Sequence, residues 1–191
     1  MKVPFFNYKK LYLKDKKLID KAIKNVMSKG SFILQNELEQ FEIQLAKYTG
    51  AKYAIGVANG TDALWLSMIA CGLKKNDEVL MPSHTYVATP AAAKFIGVKS
   101  ILVDIDKNHL MCLKDLKKKV TLKTKAIIPV QLNGRTMNMS KLVKFAEEEG
   151  LTIIEDSAQG LGSKFNNKMA GTFGLTGTYS FYPAKTLGCF G

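Results

Sequence analysis

Lys185 has the surroundings of a lysine that could act as a nucleophile. It follows Tyr182 and Pro183 and precedes Leu187, directly after a segment that the apolar pattern predicts to be a strand. Partial desolvation lowers the pKa of a lysine and leaves its amine free to form a Schiff base. The alternative is a solvated surface lysine, since all Lys and Arg residues of the chain except Arg135 are Lys.

Two acidic residues stand at the end of another predicted strand, where Ile153 and Ile154 lead into Glu155 and Asp156. Burial of a carboxylate is costly unless a partner compensates its charge. The cationic ring nitrogen of a cofactor would be such a partner, and a charge-assisted hydrogen bond contributes about 1.5–3 kcal/mol. A helix cap or a surface salt bridge is the alternative interpretation of the same residues.

The segment Asn59-Gly60-Thr61 connects a predicted strand to a predicted helix. The first N–H groups of a helix have no partner within it, and together with the helix dipole they favour anions such as phosphate. A purely structural cap is the alternative, because Asn, Gly and Thr are all common at the start of a helix.

The apolar pattern predicts strands that alternate with helices along the whole chain. Gly30 and Gly50 end the first two helices, and Asn36 is predicted to cap the second one. Further helices are predicted over 62–71, 86–96, 113–119 and 140–149, and strands over 53–57, 78–81, 100–103, 126–130, 152–154 and 177–181. Such alternation indicates an α/β layered fold with a mostly parallel sheet.

Three polar clusters directly follow predicted strands, at 59–61, 83–86 and 156–159. In parallel α/β sheets, ligands bind beyond the carboxyl ends of the strands. This common placement predicts that the three clusters contribute to one site.

The composition argues against several classes of protein. The 191 residues, of which 47% are hydrophobic and 23% charged, suit a single globular domain rather than a disordered chain. The net charge is +12, yet the lysines are spread along the chain and Arg135 is the one arginine, which argues against a nucleic-acid reader. No apolar run approaches the length of about 18 residues that a membrane span needs.

The three cysteines, Cys71, Cys112 and Cys189, have no metal-binding spacing, so we expect no metal site. Their odd number favours reduced thiols and a location in the cytoplasm. The N-terminal segment has no continuous apolar core before its charges, which argues against a signal peptide.

The phosphate-binding turn, the strand-end carboxylate and the lysine follow one another in the order that a pyridoxal phosphate (PLP) enzyme needs. In these features the chain resembles the DegT/DnrJ/EryC1/StrS family of sugar aminotransferases. The matching stretches have the family's order and spacing and lie at 3–5, 41–42, 46–48, 59–64, 77–79, 82–89, 104–106, 124–130, 155–159 and 180–188.

The resemblance implies a role for each matching polar residue. Lys185 would form the Schiff base with PLP and later move protons between the substrate carbon and the cofactor carbon. Asp156 would pair with the pyridine nitrogen, Gln159 would contact the ring oxygen, and Tyr86 would stack on the ring face. The phosphate would be held by Gly60, Thr61 and Ser180.

The resemblance also implies an architecture and a reaction. We expect the large domain of a fold type I aminotransferase over residues 1–191, with three α/β/α layers and a mostly parallel mixed sheet. Because family members are about twice as long, the chain is interpreted as an N-terminal part without the small C-terminal domain, and a homodimer is expected of the full-length form. The implied reaction moves an amino group from an amino acid, usually glutamate, to a keto group of a nucleotide-linked sugar.

Four positions depart from the family pattern. Gln131 and Leu161 replace common histidines, Thr176 stands where an acidic residue is common, and Thr186 follows the lysine where Asn is common. None of these differences removes a predicted cofactor contact. Substrate preference is therefore not assigned from these positions.

Two other functions compete with a complete aminotransferase. A dehydratase of the same family would have His in place of Lys185, so this lysine argues against it. An inactive remnant or a regulatory protein of the same fold is compatible with a shortened chain, whereas the retained Asp156, Gln159, Ser180 and Lys185 argue against long decay. A nucleic-acid role comes last, because no helix-turn-helix or aromatic-basic pattern is visible.

Overall fold

A computed structural model describes residues 3–4 and 6–189 of the chain. Phe5, which ends the matching stretch 3–5, lies outside the described residues. The helices are α1 (Tyr8–Lys29), α2 (Asn36–Thr49), α3 (Gly60–Ala70), α4 (Ala88–Phe95), α5 (Leu113–Lys118) and α6 (Met139–Glu148). The strands are β1 (Glu78–Pro82), β2 (Lys99–Val103), β3 (Thr124–Ile127), β4 (Thr152–Asp156), β5 (Lys164–Phe165), β6 (Lys168–Met169) and β7 (Thr176–Thr178).

One sheet of five strands, in the order β2-β1-β3-β4-β7, is parallel throughout. Parallel strands need crossover connections, and α4, α5 and α6 lie in three of them. Strands β5 and β6 form a separate antiparallel hairpin, whose turn residues Asn166 and Asn167 both have positive φ. The predicted α/β fold with a mostly parallel sheet is therefore confirmed.

Two apolar clusters cover opposite faces of the sheet, because successive side chains of a strand point to opposite sides. In β1, Leu80 belongs to one cluster and its neighbours Val79 and Met81 belong to the other. The Leu80 cluster continues through Leu116 of α5 and Leu142 of α6. The other cluster continues into α3 and α4 through Leu64, Met68, Ala92 and Ala93.

The prediction of a strand over 53–57 is wrong. No strand among the described residues pairs with this segment, and Tyr53 and Ile55 are 72% and 81% exposed. A run of strand-forming side chains does not make a strand by itself, because the backbone N–H and C=O groups need a neighbouring strand as hydrogen-bond partner.

Smaller differences concern the ends of elements. Gln35 is the N-cap of α2, and Asn36 is the first helical residue rather than the predicted cap. Strand β3 ends at Ile127, beyond which Val130 forms an isolated bridge. Strand β7 covers Thr176–Thr178 and does not reach 181, because the next residues leave the ladder with β4.

Helix α1 has the predicted amphipathic pattern but contributes nothing to the buried core. Its N-terminus is capped by the Asn7 side chain, which accepts a hydrogen bond from the Lys10 N–H, and its C-terminus ends at Gly30 with φ of 67°. No residue of α1 is buried, and the side chains of Leu18 and Met27 are exposed. The apolar face of α1 is therefore available to a partner surface.

The core on the α5 and α6 face sets the stability of the domain. Leu142 is fully buried, so we expect Leu142→Ala to lower the free energy of unfolding by about 2–5 kcal/mol through lost burial and a residual cavity. The matched control is Leu122→Ala at a fully exposed position, with a change within about 0.5 kcal/mol. Denaturant unfolding measures both variants, and equal losses would contradict the assigned core.

Candidate active site

The predicted site residues lie at the carboxyl-end edge of the parallel sheet. Asp156 is the last residue of β4, Tyr86 follows β1, and Ser180 and Lys185 follow β7. Because these strands are parallel, their carboxyl ends lie at one edge of the sheet. The sheet topology thus places the polar clusters on the same side of the molecule, as their positions in the sequence predict.

The start of α3 lies beside the segment after β7 and has free N–H groups that could bind an anion. The Asn59 side chain accepts the N–H of Asp62 at 2.9 Å, and no described residue accepts the N–H groups of Gly60 and Thr61. A Cβ atom on Gly60 would lie 3.2 Å from the Cβ of Ser180, so Gly60 and Ser180 are close neighbours. The three residues predicted to hold a phosphate are therefore brought together.

Asp156 is a buried carboxylate with a donor on each oxygen. The Thr89 hydroxyl donates to Oδ2 at 2.7 Å, and the Ala158 N–H donates to Oδ1 at 3.1 Å. Burial raises the pKa of Asp156, and these two hydrogen bonds and the positive charge of Lys185 act in the opposite direction. The carboxylate is accordingly prepared for a cationic partner.

Lys185 lies in a turn after β7, on the side of the sheet where Asp156 ends its strand. Its N–H donates to the Tyr182 carbonyl at 2.8 Å, and its side chain is half-buried. The segment is anchored on α2 by the edge-to-face contact of Phe181 with Phe41, whose ring centroids are 5.1 Å apart. The positive charge of Lys185 favours the ionised form of Asp156.

Gln159 is held by its own hydrogen bonds. Its Oε1 accepts the Asn133 N–H at 2.9 Å, and its backbone carbonyl accepts the Gly134 N–H at 3.0 Å. No described residue accepts from the side-chain nitrogen of Gln159, which leaves this N–H donor for a ligand oxygen. The predicted contact with the ring oxygen of a cofactor is compatible with this orientation and stays a prediction.

Tyr86 is a loop residue between β1 and α4, and its side chain is 71% exposed. Its carbonyl accepts the N–H of Thr89 at the start of α4, which fixes the backbone of the loop. An exposed aromatic face at the site can stack on a flat ring. This role also stays a prediction.

The hydrogen bonds that hold the Glu155 side chain were not predicted from the sequence. This fully buried side chain accepts hydrogen bonds from the Gln131 amide at 3.0 Å, from the Gly171 and Gly174 N–H groups at 2.9 and 3.0 Å, and from the Phe173 N–H. Gln131 in turn accepts the Met137 N–H through its Oε1. A charge that is buried with this many donors needs no cationic partner.

Thr89 is a second site residue that the sequence analysis missed. It lies 67 positions from Asp156 in the sequence, and it is buried in the first turn of α4. A Thr at the start of a helix suggests an ordinary cap, so no local pattern indicates its contact with the carboxylate.

Within residues 3–4 and 6–189, no group of three or more His, Cys, Asp or Glu side chains could hold a metal ion. In the same part of the chain, no helix is both long and apolar enough to cross a membrane. Cys71, Cys112 and Cys189 form no disulfide.

The arrangement fits PLP, the cofactor that the resemblance implies. An amine at Lys185, a carboxylate at Asp156 and the free N–H groups at the start of α3 beside Ser180 are the kinds of group that this cofactor requires. The fit is steric as well, because a side chain on Gly60 would fill the space beside Ser180.

The chain is similar to several known proteins. The model of the DegT/DnrJ/EryC1/StrS aminotransferase family matches residues 14–191. A "Pleiotropic regulatory protein" of Geobacillus stearothermophilus is 38% identical over all of this chain and 52% of its own length. The dTDP-3-amino-3,4,6-trideoxy-alpha-D-glucose transaminase of Streptomyces venezuelae is 37% identical over all of this chain and 50% of its own length.

A solved structure agrees with the fold over nearly the whole chain. The crystal structure of S. venezuelae DesV in complex with a ketimine intermediate matches with a TM-score of 0.95 and 37% identity. The match covers 99% of this chain and 51% of that protein, so the chain spans about half the length of the relatives that it matches. The chain belongs to the DegT/DnrJ/EryC1/StrS aminotransferase family.

Proposed function

We propose that the chain is the cofactor domain of a PLP-dependent aminotransferase. The whole protein moves an amino group from an amino acid, with glutamate the expected donor, to a keto group of a nucleotide-linked sugar. The observation that carries the proposal is that Asp156 ends β4 at the carboxyl end of the sheet, that the segment with Ser180 and Lys185 leaves the neighbouring strand β7 at the same end, and that Ser180 lies against Gly60. The name of the S. venezuelae transaminase supports the class of substrate.

Each residue of the site has a defined task in this reaction. When bound, PLP supplies an aldehyde for the amino group and a ring that accepts an electron pair. The Lys185 Nζ binds the cofactor covalently and then moves protons at the reacting carbon, while Asp156 holds the proton on the ring nitrogen. The N–H groups of Gly60 and Thr61 and the Ser180 hydroxyl orient the phosphate.

The Gln159 side chain adds a donor near the ring oxygen, and Tyr86 covers the ring face. Both tasks follow from the resemblance, and the free amide nitrogen of Gln159 and the exposed ring of Tyr86 support them. The lysine-rich surface, with a net charge of +12, favours the approach of an anionic nucleotide-linked substrate.

The full-length protein is proposed to act as a homodimer. The exposed apolar side chains of α1, among them Leu18, Ile23 and Met27, support a partner surface on this helix. The product class, an amino sugar, fits the biosynthesis of surface polysaccharides. A cytoplasmic location is proposed from the three free thiols, which persist in a reducing compartment.

A regulatory protein of the same fold is the second candidate. The name of the Geobacillus stearothermophilus relative favours it. The two candidates differ in whether the Lys185 amine reacts with PLP, which a covalent labelling experiment measures directly.

Reduction with borohydride after incubation with PLP should fix the pyridoxyl group on Lys185, because the proposed function assigns the covalent bond with PLP to this amine. Peptide mass spectrometry locates the label. We expect Lys185→Ala to lose the labelled peptide, and Lys164→Ala, which removes an exposed lysine of the β5–β6 hairpin, to keep it. A label spread evenly over surface lysines would overturn the proposal and favour the regulatory candidate.

Asp156→Asn should change the stability of the domain and the binding of the cofactor in opposite directions. Burial raises the pKa of Asp156, so the folded chain binds this proton more tightly than the unfolded chain. The wild type therefore loses stability as the pH rises above the ordinary carboxyl pKa, and the variant does not share this loss. Its free energy of unfolding relative to the wild type should rise as the pH increases above the ordinary carboxyl pKa of about 4.

Cofactor labelling of Lys185 should fall in the same Asp156→Asn variant, because the ring nitrogen loses its ionised partner. The control is Asp15→Asn, at an exposed position of α1 away from the site, which should keep the label. Undiminished labelling in Asp156→Asn would contradict the role of this carboxylate.

A further inference from the structure

Two threonine hydroxyls form a chain that ends on Asp156. The Thr89 Oγ1 lies 2.7 Å from the Asp156 Oδ2, and the Thr85 Oγ1 lies 2.8 Å from the Thr89 Oγ1. Thr89 is fully buried in the first turn of α4, whereas Thr85 is half-buried in the loop before that helix. The chain therefore extends from the interior toward the open side of the loop.

The number of protons fixes the direction of both hydrogen bonds. A threonine hydroxyl has one proton to donate and lone pairs that accept. An ionised carboxylate only accepts, so the proton of Thr89 is committed to Asp156. The Thr85 hydroxyl must then be the donor to Thr89, and the order of donation is Thr85 to Thr89 to Asp156.

This order favours the ionised form of Asp156 inside the protein. A hydroxyl that accepts one hydrogen bond becomes a stronger donor in the next one. Burial acts against ionisation, and Lys185 is the charged group that acts in its favour. With the Ala158 N–H on Oδ1, the Thr89 hydroxyl on Oδ2 leaves the carboxylate in one fixed orientation.

We infer that Thr89, oriented by Thr85, is a positioning residue that favours the ionised form of Asp156 and holds its carboxylate in one orientation for a cationic ring nitrogen. The consequence for the cofactor rests on the proposed function. The effect on Asp156 itself is a property of the chain without any ligand, so the two parts can be tested apart.

The first test is the titration of Asp156 in the cofactor-free chain. Carbon NMR of isotopically labelled aspartate carboxyl groups monitors it, and the signal that is missing in Asp156→Asn is assigned to Asp156. Thr89→Val keeps the shape of the side chain and removes the donor, so we expect the proton affinity of Asp156 to rise about tenfold. Thr89→Ala should do the same and serves if the valine variant does not fold. Thr89→Ser restores the hydroxyl and should titrate like the wild type.

Thr85→Val examines the outer hydrogen bond. The Thr89 hydroxyl then loses its own donor, and the proton affinity of Asp156 should rise by a smaller factor than in Thr89→Val. Wild-type titration of Asp156 in folded Thr89→Val or Thr89→Ala, or a shift that Thr89→Ser does not reverse, overturns the inference.

The second readout is the affinity for PLP, measured as the concentration that half-saturates borohydride labelling of Lys185. We expect weaker binding in Thr89→Val and wild-type binding in Thr89→Ser. If Asp156 titrates as expected but neither the wild type nor any variant is labelled at Lys185, the inference about Thr89 holds and the proposed function fails. If labelling is normal and the titration is unchanged, the inference fails and the proposed function holds.

Discussion

The site depends on one buried negative charge. Asp156 has lost almost all contact with water, which favours its neutral form, yet the proposed chemistry needs the ionised form beside a cationic ring nitrogen. The protein offsets this cost with a hydroxyl on one oxygen, a backbone N–H on the other and the charge of Lys185 nearby. These compensations come from α4, from the turn after β4 and from the segment after β7. The position of the carboxylate therefore requires three separate parts of the chain to be in place.

The framework behind this charge is a second buried carboxylate. Glu155 precedes Asp156 in β4 and points away from it, as alternate residues of a strand do. Its hydrogen bonds to Gln131 and to the turn at 171–174 tie β4 to the segments that flank the site. The Gln131 amide provides a neutral donor to Glu155. Of these two adjacent acidic residues, Glu155 therefore has a structural role, and Asp156 is the one proposed to face the cofactor.

The fold could be predicted from the sequence where the evidence is local. The predicted strands 78–81 and 152–154 contain consecutive apolar residues that face both sides of the sheet, and helices with glycine stops separate them, which is the pattern of a parallel sheet. The strand at 53–57 could not be judged in this way, because its existence depends on a partner strand elsewhere in the chain. The β5–β6 hairpin was missed because each strand has two residues, although Asn166-Asn167 is a turn pair that accepts positive φ.

The site was predictable in its residue types but not in its hydrogen bonds. Lys185, Asp156 and Gly60 belong to short motifs that indicate their chemistry. The contacts of Asp156 with Thr89 and of Glu155 with Gln131 join positions 67 and 24 residues apart, and each partner is an ordinary residue in its own surroundings. Such contacts follow from packing of α4 and the 131–139 loop on the sheet, which a single sequence does not determine.

The state of the ring nitrogen tests the central interaction most directly. Nitrogen NMR of the chain loaded with PLP that is isotopically labelled at the pyridine nitrogen reports whether that atom carries a proton. If Asp156 is ionised and paired with the ring, the wild type shows the chemical shift of a protonated pyridinium at neutral and mildly basic pH, and Asp156→Asn shows that of neutral pyridine. A neutral pyridine nitrogen in the wild-type complex would contradict the account.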